Sequence, residues 1–184
     1  MEITIAGLCL ACVEGDITAQ AGFDAVVNAA NAELRPGGGV AGLIHRAAGP
    51  ELDRACRPLA PLRPGEAVLT PAFALPNRFV IHCLGPVYGA DPMPEATLAA
   101  CYRAILALAE EHGIGSVATP AISTGIFGYP PPAAAAVAIG AVAASAPLLR
   151  HLRLLRFVLR GPEALAAHEA ALRDVARRFG REPL

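Results

Sequence analysis

The sequence of 184 residues has no lysine and no tryptophan, and only 5% of its residues are aromatic. All fifteen basic residues are arginine, so mechanisms that need a catalytic lysine are excluded. The scarcity of aromatic rings argues against binding of single-stranded nucleic acid by base stacking. Acidic and basic residues nearly cancel, at 16 against 15, whereas binding by counterion release needs a clear basic excess. We therefore expect no nucleic-acid partner.

Charged residues are also missing from one long stretch, residues 113–149. Its apolar part is mostly alanine and is interrupted by prolines at 130–132 and 147, whereas a spanning helix needs about 20 strongly apolar residues in one run. We expect a buried helix and no membrane segment. The apolar residues 3–13 have no basic residue before them, unlike a signal peptide, so we expect a cytoplasmic protein.

The five cysteines are an odd number and lie among apolar neighbours. Cys9 and Cys12 have the Cys-x-x-Cys spacing of a redox or zinc motif. No second pair of cysteines or histidines completes a zinc site, and residues three apart in a strand point to opposite faces. We expect reduced, buried thiols, and neither a metal nor another cofactor.

Short β-branched runs alternate with runs of helical periodicity, which is the pattern of an α/β domain. Strands are predicted at 3–5, 8–13, 25–28, 67–70, 79–84, 116–122 and 154–159. Leu98, Cys101 and Ile105 lie on one face of a predicted helix that stops at Gly113. No linker is long enough to separate two domains, so one domain spanning residues 1–184 is predicted.

Two glycine-containing segments each follow a predicted strand and precede a predicted helix. The first contains Gly37, Gly38 and Gly39, and the second, residues 123–130, begins Ser-Thr-Gly-Ile-Phe-Gly. Backbone N–H groups in such loops approach an anion with no Cβ in the way, and a helix dipole favours negative charge there. Open α/β sheets bind ligands at the carboxyl ends of their strands. Two such loops facing one another suit a diphosphate.

Three alternatives stay open for these segments. Gly37, Gly39 and Gly42 formally match the GxGxxG fingerprint of dinucleotide-binding domains, but eight residues separate Asn28 from Gly37, and no acid closes a clear βαβ unit. The glycines could instead form simple turns. Asn28 and Asn31 either cap the strand or use their amides to bind the paired hydroxyls of a ribose.

With these residues the sequence resembles the macrodomain family, which recognises ADP-ribose, and within it the MacroD-like and viral-type branches. The matching segments follow the family order between residues 13 and 140: 15–18 (GDIT), 27–31 (VNAAN), 37–40 (GGGV), 44–49 (IHRAAG), 80–82 (VIH) with 85–86 (GP), and 120–130 (PAISTGIFGYP). The resemblance implies a three-layer α/β/α sandwich with a mixed, mostly parallel six-stranded sheet. It also implies an ADP-ribose cleft at the strand ends.

The resemblance implies a role for each matching residue. Asp16 would accept from the adenine 6-amino group while the Ile17 N–H reaches a ring nitrogen, although Asp16 also suits the N-cap of the following turn. Asn31, Gly39 and Phe127 would hold the distal ribose at the catalytic end, although Phe127 also suits the core. The other implied binding residues are Asn28, Gly38, Val40, Ser123, Thr124, Gly125 and Ile126, most of them around the diphosphate.

One position departs from the MacroD-like pattern, in which an aspartate directly after Gly-Gly-Gly-Val is proposed to orient or activate the attacking water. This chain has Ala41 there, and loss of a general base typically costs about 10²–10⁴ in rate. The resemblance to viral-type members with alanine there implies hydrolysis with a water held by the ligand's phosphate and by backbone groups. His45, one helical turn further, is either a substitute base or a structural residue.

We therefore expect a monomeric ADP-ribose-binding hydrolase that removes mono-ADP-ribose from acidic side chains of proteins. Its expected partners are ADP-ribose and ADP-ribosylated proteins, and O-acetyl-ADP-ribose is a further candidate substrate for deacetylation. The alternative is a non-catalytic ADP-ribose reader, which Ala41 favours.

Overall fold

Seven strands form one mixed sheet in the computed structural model, which describes residues 1–180. The strands are β1 (Glu2–Ile5), β2 (Leu8–Glu14), β3 (Ala25–Ala29), β4 (Ala67–Pro71), β5 (Phe79–Cys83), β6 (Ser116–Thr119) and β7 (Leu154–Leu159). Their spatial order is β1-β2-β7-β6-β3-β5-β4. The five inner strands are parallel, and β1 and β4 are antiparallel edge strands.

The strand pattern confirms the α/β prediction with two corrections. The family resemblance implied six strands, whereas the sheet has seven, the number of β-branched runs in the sequence. The predicted strand 116–122 is three residues too long, because β6 ends at Thr119. Pro120 follows, and a proline has no N–H to donate to a neighbouring strand.

Five α-helices cover the two faces of the sheet among the described residues: α1 (Gly39–Ala48), α2 (Pro50–Cys56), α3 (Pro94–Glu111), α4 (Pro131–Ser145) and α5 (Pro162–Arg178). Four of them begin with proline, whose missing N–H would have no intrahelical partner at that position and whose φ already suits a helix. Helices α3, α4 and α5 pack on one face, and α1 and α2 pack on the other.

The inner strand β3 is buried on both faces, as its continuous apolar sequence predicts. Ala25 and Val27 belong to the core under α3, α4 and α5, and Val26 belongs to the core under α1 and α2. The stretch Pro131–Leu148 is long and apolar enough by composition to cross a membrane. In this fold Ile139 and Val142 of α4 are fully buried and belong to the core under α3, α4 and α5.

The parallel strands bring four segments to the same edge of the sheet. Their carboxyl ends lead into Gly15 after β2, Ala30 after β3, Pro120 after β6 and Arg160 after β7. The N-terminus of α1 begins at Gly39 on this edge and lines the same cleft as the segment after β6. Residues far apart in the sequence therefore meet around one opening.

Candidate functional site

Two adjoining cavities open at this edge and share a wall made by Gly39, Val40, Ala121 and Gly125. The Asn31 cavity has a volume of about 170 Å³, and the Asp16 cavity has a volume of about 460 Å³. Because they share these residues, they form one continuous cleft. Its size falls in the range of about 300–1,000 Å³ that is typical of small-molecule sites.

The cleft brings together nearly all the predicted site residues. The Asn31 cavity is lined by Asn31, Gly38, Gly39, Val40, Ser123, Gly125, Ile126 and Phe127. The Asp16 cavity is lined by Asp16, Ile17, Gly39, Val40, Thr124 and Gly125.

The first loop, residues 37–39, leads into α1 without a side-chain cap. Gly38 is the N-cap residue and makes no side-chain hydrogen bond, so the N–H groups of the first helical turn are free for another acceptor. Gly39 has a φ of +59°, in the region that favours glycine. A Cβ on Gly42 would lie 2.2 Å from the Gly37 carbonyl oxygen, so a glycine is needed for the helix to pack against the loop.

The second loop, residues 123–128, starts from a strained position. Ser123 has a φ of +67°, which is uncommon for a residue with a side chain. Ser123 lines the Asn31 cavity, and its Oγ is buried without a hydrogen-bond partner within residues 1–180. A Cβ on Gly85 would lie 2.2 Å from this Oγ, so only glycine lets the two segments approach. The close approach of the two segments therefore fixes the start of the second loop at the wall of the cavity.

The second loop also leaves backbone N–H groups without acceptors beside the cleft. Gly128 donates to the Gly125 carbonyl at 2.9 Å, and Tyr129 donates to the Ser123 carbonyl at 2.9 Å, which closes the turn. The N–H groups of Gly125, Ile126 and Phe127 have no acceptor in the described part of the chain. Ile126 is also 83% exposed, and its Cδ1 lies close to Gly38 across the cleft. Two loops rich in free backbone donors therefore face each other.

Asn31 is held in place by the chain that follows it. Its Nδ2 donates to the Arg35 carbonyl at 2.8 Å, and its Oδ1 accepts from the Arg35 N–H at 3.0 Å. The Nδ2 atom keeps one further N–H and the Oδ1 atom one further lone pair, so the side chain has both a donor and an acceptor for a ligand. Phe127 forms an apolar wall of the same cavity and also packs partly against the core under α1 and α2.

Asp16 both caps a short helix and faces the second cavity. Its Oδ1 accepts from the Thr18 N–H at 2.8 Å and the Thr18 hydroxyl at 2.7 Å, which makes it the N-cap of the 3₁₀ turn Ile17–Ala19. These hydrogen bonds lower the pKa of the Asp16 carboxyl. Oδ2 has no partner within residues 1–180, so the two roles weighed for Asp16 are compatible.

Asn28 is the predicted binding residue that the structure does not bring to the cleft. It faces the α1 and α2 side of the sheet and is fully buried, and its Nδ2 lies 3.1 Å from His82 Nδ1. His82 Nε2 lies 2.9 Å from Thr70 Oγ1 and 3.6 Å from Cys56 Sγ. Side chains alternate along β3. Val26 and Asn28 therefore point to the side of α1 and α2, and Ala25 and Val27 point to the side of α3, α4 and α5.

This buried group has the residue types of a cysteine–histidine–asparagine nucleophile site, but its electrostatics are wrong for one. Burial raises the pKa of the Cys56 thiol to about 11 and lowers the pKa of His82 to about 3. Both side chains are therefore neutral near pH 7, whereas the reactive form of a cysteine is the thiolate. Cys56 and His82 are also 0% exposed. The group is structural.

His45 belongs to the same buried layer. It is 5% exposed, its ring centroid lies 6.4 Å from that of His82, and it lines neither cavity. Burial lowers its pKa, so the neutral form is favoured. Of the two roles weighed for His45, its position supports the structural one.

The two cavities differ in charge. Ala41 is buried in the wall of the Asn31 cavity, and no ionisable side chain within residues 1–180 lines that cavity. The Asp16 cavity is lined by Asp16 and Arg160. Arg160 was missed by the sequence reasoning. It directly follows the predicted strand 154–159, so the strand-end rule that selected the two loops would also have found it.

The cysteines are free thiols, and they include the Cys-x-x-Cys pair. Cys9 is half-buried, and burial raises the pKa of Cys12 to about 12. No group of three or more histidine, cysteine, aspartate or glutamate residues suited to a metal ion occurs in the described part of the chain.

Comparison with known proteins finds relatives of this chain in sequence and in fold. The family model described as "Macro domain" matches residues 27–138. A macro domain-containing protein of Ralstonia nicotianae is 52% identical over 134 residues, which cover 72% of this chain and 78% of that protein. The bovine ADP-ribose glycohydrolase MACROD1 is 48% identical over 130 residues, which cover 70% of this chain and 40% of that protein. The structure of the Oceanobacillus iheyensis macrodomain with ADP superimposes with a TM-score of 0.92 at 36% identity and covers 97% of both chains.

Proposed function

The chain belongs to the macro domain family, and from this premise we propose that it binds ADP-ribose and hydrolyses the bond that joins mono-ADP-ribose to acidic side chains of proteins. One observation carries the proposal: two loops with free backbone N–H groups face each other across a cleft that has a charged end and a neutral end. The solved O. iheyensis macrodomain with ADP and the name of the bovine glycohydrolase support the ligand class and the reaction class.

The diphosphate lies between the two loops in this proposal. Phosphate oxygens accept from the first turn of α1 on one side and from the N–H groups of Gly125 and Ile126 on the other. Hydrogen bonds from neutral backbone donors to an ionised acceptor are about twice as strong as neutral ones. No lysine or arginine is therefore needed beside the diphosphate.

The adenine takes the Asp16 cavity, and the distal ribose takes the Asn31 cavity. Oδ2 of Asp16 accepts from the 6-amino group, and the Ile17 N–H, which has no acceptor within residues 1–180, donates to a ring nitrogen. Asn31 binds a hydroxyl of the distal ribose with its remaining donor and acceptor positions, and Phe127 limits where that sugar lies.

The neutral walls of the Asn31 cavity suit an acyl linkage. Water attacks C1″ of the distal ribose, the bond from C1″ to the carboxyl oxygen breaks, and the side-chain carboxylate leaves with the electron pair. A carboxylate with an ordinary pKa of about 4 leaves without being protonated, so no general acid is required. The proton of the water passes to solvent or to a diphosphate oxygen, and the charge that develops on the ribose lies next to the diphosphate.

A non-catalytic reader is the second candidate, and Ala41 is the observation that favours it. The position that carries an aspartate in MacroD-like enzymes has only a methyl group here, and no other ionisable group lines the Asn31 cavity within residues 1–180. A reader would bind ADP-ribosylated proteins through the same cleft and release nothing.

Release of ADP-ribose from a protein modified on glutamate or aspartate separates the two candidates. We expect the wild-type chain to release free ADP-ribose well above the background of the Asn31→Ala variant. Equal release by the two proteins, together with calorimetric binding of ADP-ribose, would leave only the reader. An absence of both release and binding would reject the proposal as a whole.

A further inference from the structure

The Asn31 side chain takes its direction from the backbone of Arg35, four residues further along the chain. The Arg35 carbonyl accepts from Asn31 Nδ2 at 2.8 Å, and the Arg35 N–H donates to Asn31 Oδ1 at 3.0 Å. A Cβ on Gly37 would lie 3.1 Å from Asn31 Nδ2, so the first loop passes close beside the amide. The orientation of the amide therefore depends on where the Arg35 backbone lies.

The turn between these two residues contains an unfavourable backbone conformation. Leu34 has a φ of +54°, which is uncommon for a residue with a side chain. Its N–H donates to the Asn31 carbonyl at 3.1 Å, and its side chain is fully buried in the core under α1 and α2. Such a conformation persists only where the surrounding structure holds it. Burial of Leu34 fixes the middle of the turn but not the exposed Arg35 that follows it.

Asp53 on α2 holds the Arg35 end of the turn. Asp53 Oδ1 lies 3.1 Å from Arg35 Nε, and the Asp53 side chain is only 16% exposed. This oxygen is buried and accepts no hydrogen bond within residues 1–180. A buried carboxylate oxygen is unfavourable without a compensating charge. The carboxylate therefore favours the position of Arg35 that orients Asn31.

Asp53 is itself held firmly. Its neighbours Leu52 and Cys56 are fully buried in the core under α1 and α2. Arg57 donates to Asp53 Oδ2 from Nη2 at 2.9 Å and from Nε at 3.3 Å. The hydrogen bond from Arg57, together with the charge of Arg35, lowers the pKa of the Asp53 carboxyl and keeps it ionised. Neither Arg35 nor Asp53 lines a cavity, so both lie behind the residue that faces the ligand.

We propose that the ion pair between Arg35 and Asp53 positions Asn31 for the distal ribose. Both are positioning residues, because they act through the Asn31 amide. The proposal rests on the proposed function, in which Asn31 binds a hydroxyl of that sugar. A side chain that acts on a reacting group has to be held to within about 0.5 Å by its supporting contacts. Loss of the ion pair frees the end of the turn and lets the amide take several directions.

The rate of ADP-ribose release at saturating substrate tests the proposal. Arg35→Ala keeps the backbone groups that bind Asn31 and removes their anchor, so we expect the rate to fall about tenfold. Asp53→Ala should lower the rate equally, and the double variant should be no slower, since the same contact is lost in all three. Arg35→Lys keeps a cation on a long side chain and should stay within about threefold of the wild type.

NMR of the ¹⁵N-labelled chain gives a readout that needs no substrate. The side-chain N–H₂ signals of Asn31 are identified by their absence from Asn31→Ala. We expect these signals to shift or broaden in Arg35→Ala and Asp53→Ala, because the amide is no longer held in one direction. Arg57→Ala is the matched control, because it removes the other arginine on the same carboxylate and leaves Arg35 in place. Its rate and its Asn31 signals should match those of the wild type.

Three results would overturn the proposal. If the Asn31 signals of Arg35→Ala and Asp53→Ala match the wild type, the ion pair does not orient the amide. If those signals change while the rate does not, the orientation has no effect on the reaction. If Arg57→Ala changes both readouts as much as Asp53→Ala, the cause is the stability of α2. A wild type that releases no ADP-ribose would instead reject the proposed hydrolase, whereas the NMR signals would still show whether the ion pair orients Asn31.

Discussion

The two ends of the cleft are built from different chemistry. The Asp16 cavity has a carboxylate and a guanidinium on aliphatic walls, whereas the Asn31 cavity has backbone donors, an amide and one aromatic ring. Charged groups distinguish one base from another because each base presents a different set of donors and acceptors. Neutral groups placed by a rigid loop instead position a sugar without adding charge near the reacting carbon.

In the proposed function, this difference assigns binding to the Asp16 cavity and chemistry to the Asn31 cavity. Substitutions in the Asp16 cavity should change affinity, and substitutions in the Asn31 cavity should change rate, because only contacts near C1″ differ between ground state and transition state. Each substitution below tests whether affinity and rate change separately at the two cavities.

Asn31→Ala should have the largest effect. Its side chain is tied to the Arg35 backbone by two hydrogen bonds, so its loss removes a ribose contact and loosens the loop that carries it. We expect the rate of ADP-ribose release at saturating substrate to fall about a hundredfold, the scale for loss of one well-placed donor. Asn77→Ala is the matched control, because Asn77 also makes two hydrogen bonds to the backbone, here both as a donor to carbonyls, at a site outside both cavities. An equal loss of rate in the control would assign the effect to folding.

Asp16→Ala should weaken ADP-ribose binding by about tenfold to a hundredfold, the usual cost of leaving a buried hydrogen-bonding partner unpaired. The rate at saturation should stay nearly unchanged. Asp16→Asn separates binding from capping, because asparagine is a good N-cap but offers an N–H₂ group where the base needs an acceptor. We expect both variants to bind weakly in calorimetry. Full affinity in Asp16→Asn would show that only the cap matters.

Ala41→Asp brings a carboxylate into the neutral cavity. If the departing carboxylate needs no acid and the water is placed by the ligand and the backbone, the added base should raise the rate of release less than tenfold. Removal of a general base from an enzyme that depends on it costs about 10²–10⁴ in rate. A gain of that size in Ala41→Asp would show that water activation limits the wild type. Single-turnover kinetics at saturating enzyme would measure this step directly.

The sequence was sufficient to predict the cleft because its loops depend on local rules. Glycines before α1 and the Ser-Thr-Gly-Ile-Phe-Gly segment after β6 follow strands of a parallel sheet, and the carboxyl ends of such strands meet at one edge. The fold class followed from the same alternation of strands and helices. The family resemblance supplied the order of the segments and the ligand.

Side-chain direction could not be read from the sequence in the same way. Asn28 and Asn31 are only three residues apart, on either side of the end of β3, yet Asn31 lines the cleft and Asn28 pairs with His82 in the layer under α1 and α2. Which one faces the ligand depends on where β3 ends and how the chain turns, which are tertiary properties. The pairing of Asn28 with His82 likewise joins residues 54 positions apart.

A change of pH should have the smallest effect on binding and a larger one on stability. Burial lowers the pKa of His82 to about 3 and also lowers that of His45, so below the unfolded value of about 6.5 the unfolded chain binds protons that the folded chain does not. Stability is complete above about pH 6.5 and should fall towards pH 3, by about 1.4 kcal/mol per pH unit for each fully neutral histidine. Neither histidine lines the cleft, and the pKa of Asp16 is lowered, so ADP-ribose affinity should change less than about twofold between about pH 8 and pH 5.5.

Urea unfolding measures the stability across this pH range, and calorimetry measures the ADP-ribose affinity of the same protein. A tenfold loss of affinity near pH 6 would place a titrating histidine at the ligand and contradict the neutral description of the Asn31 cavity.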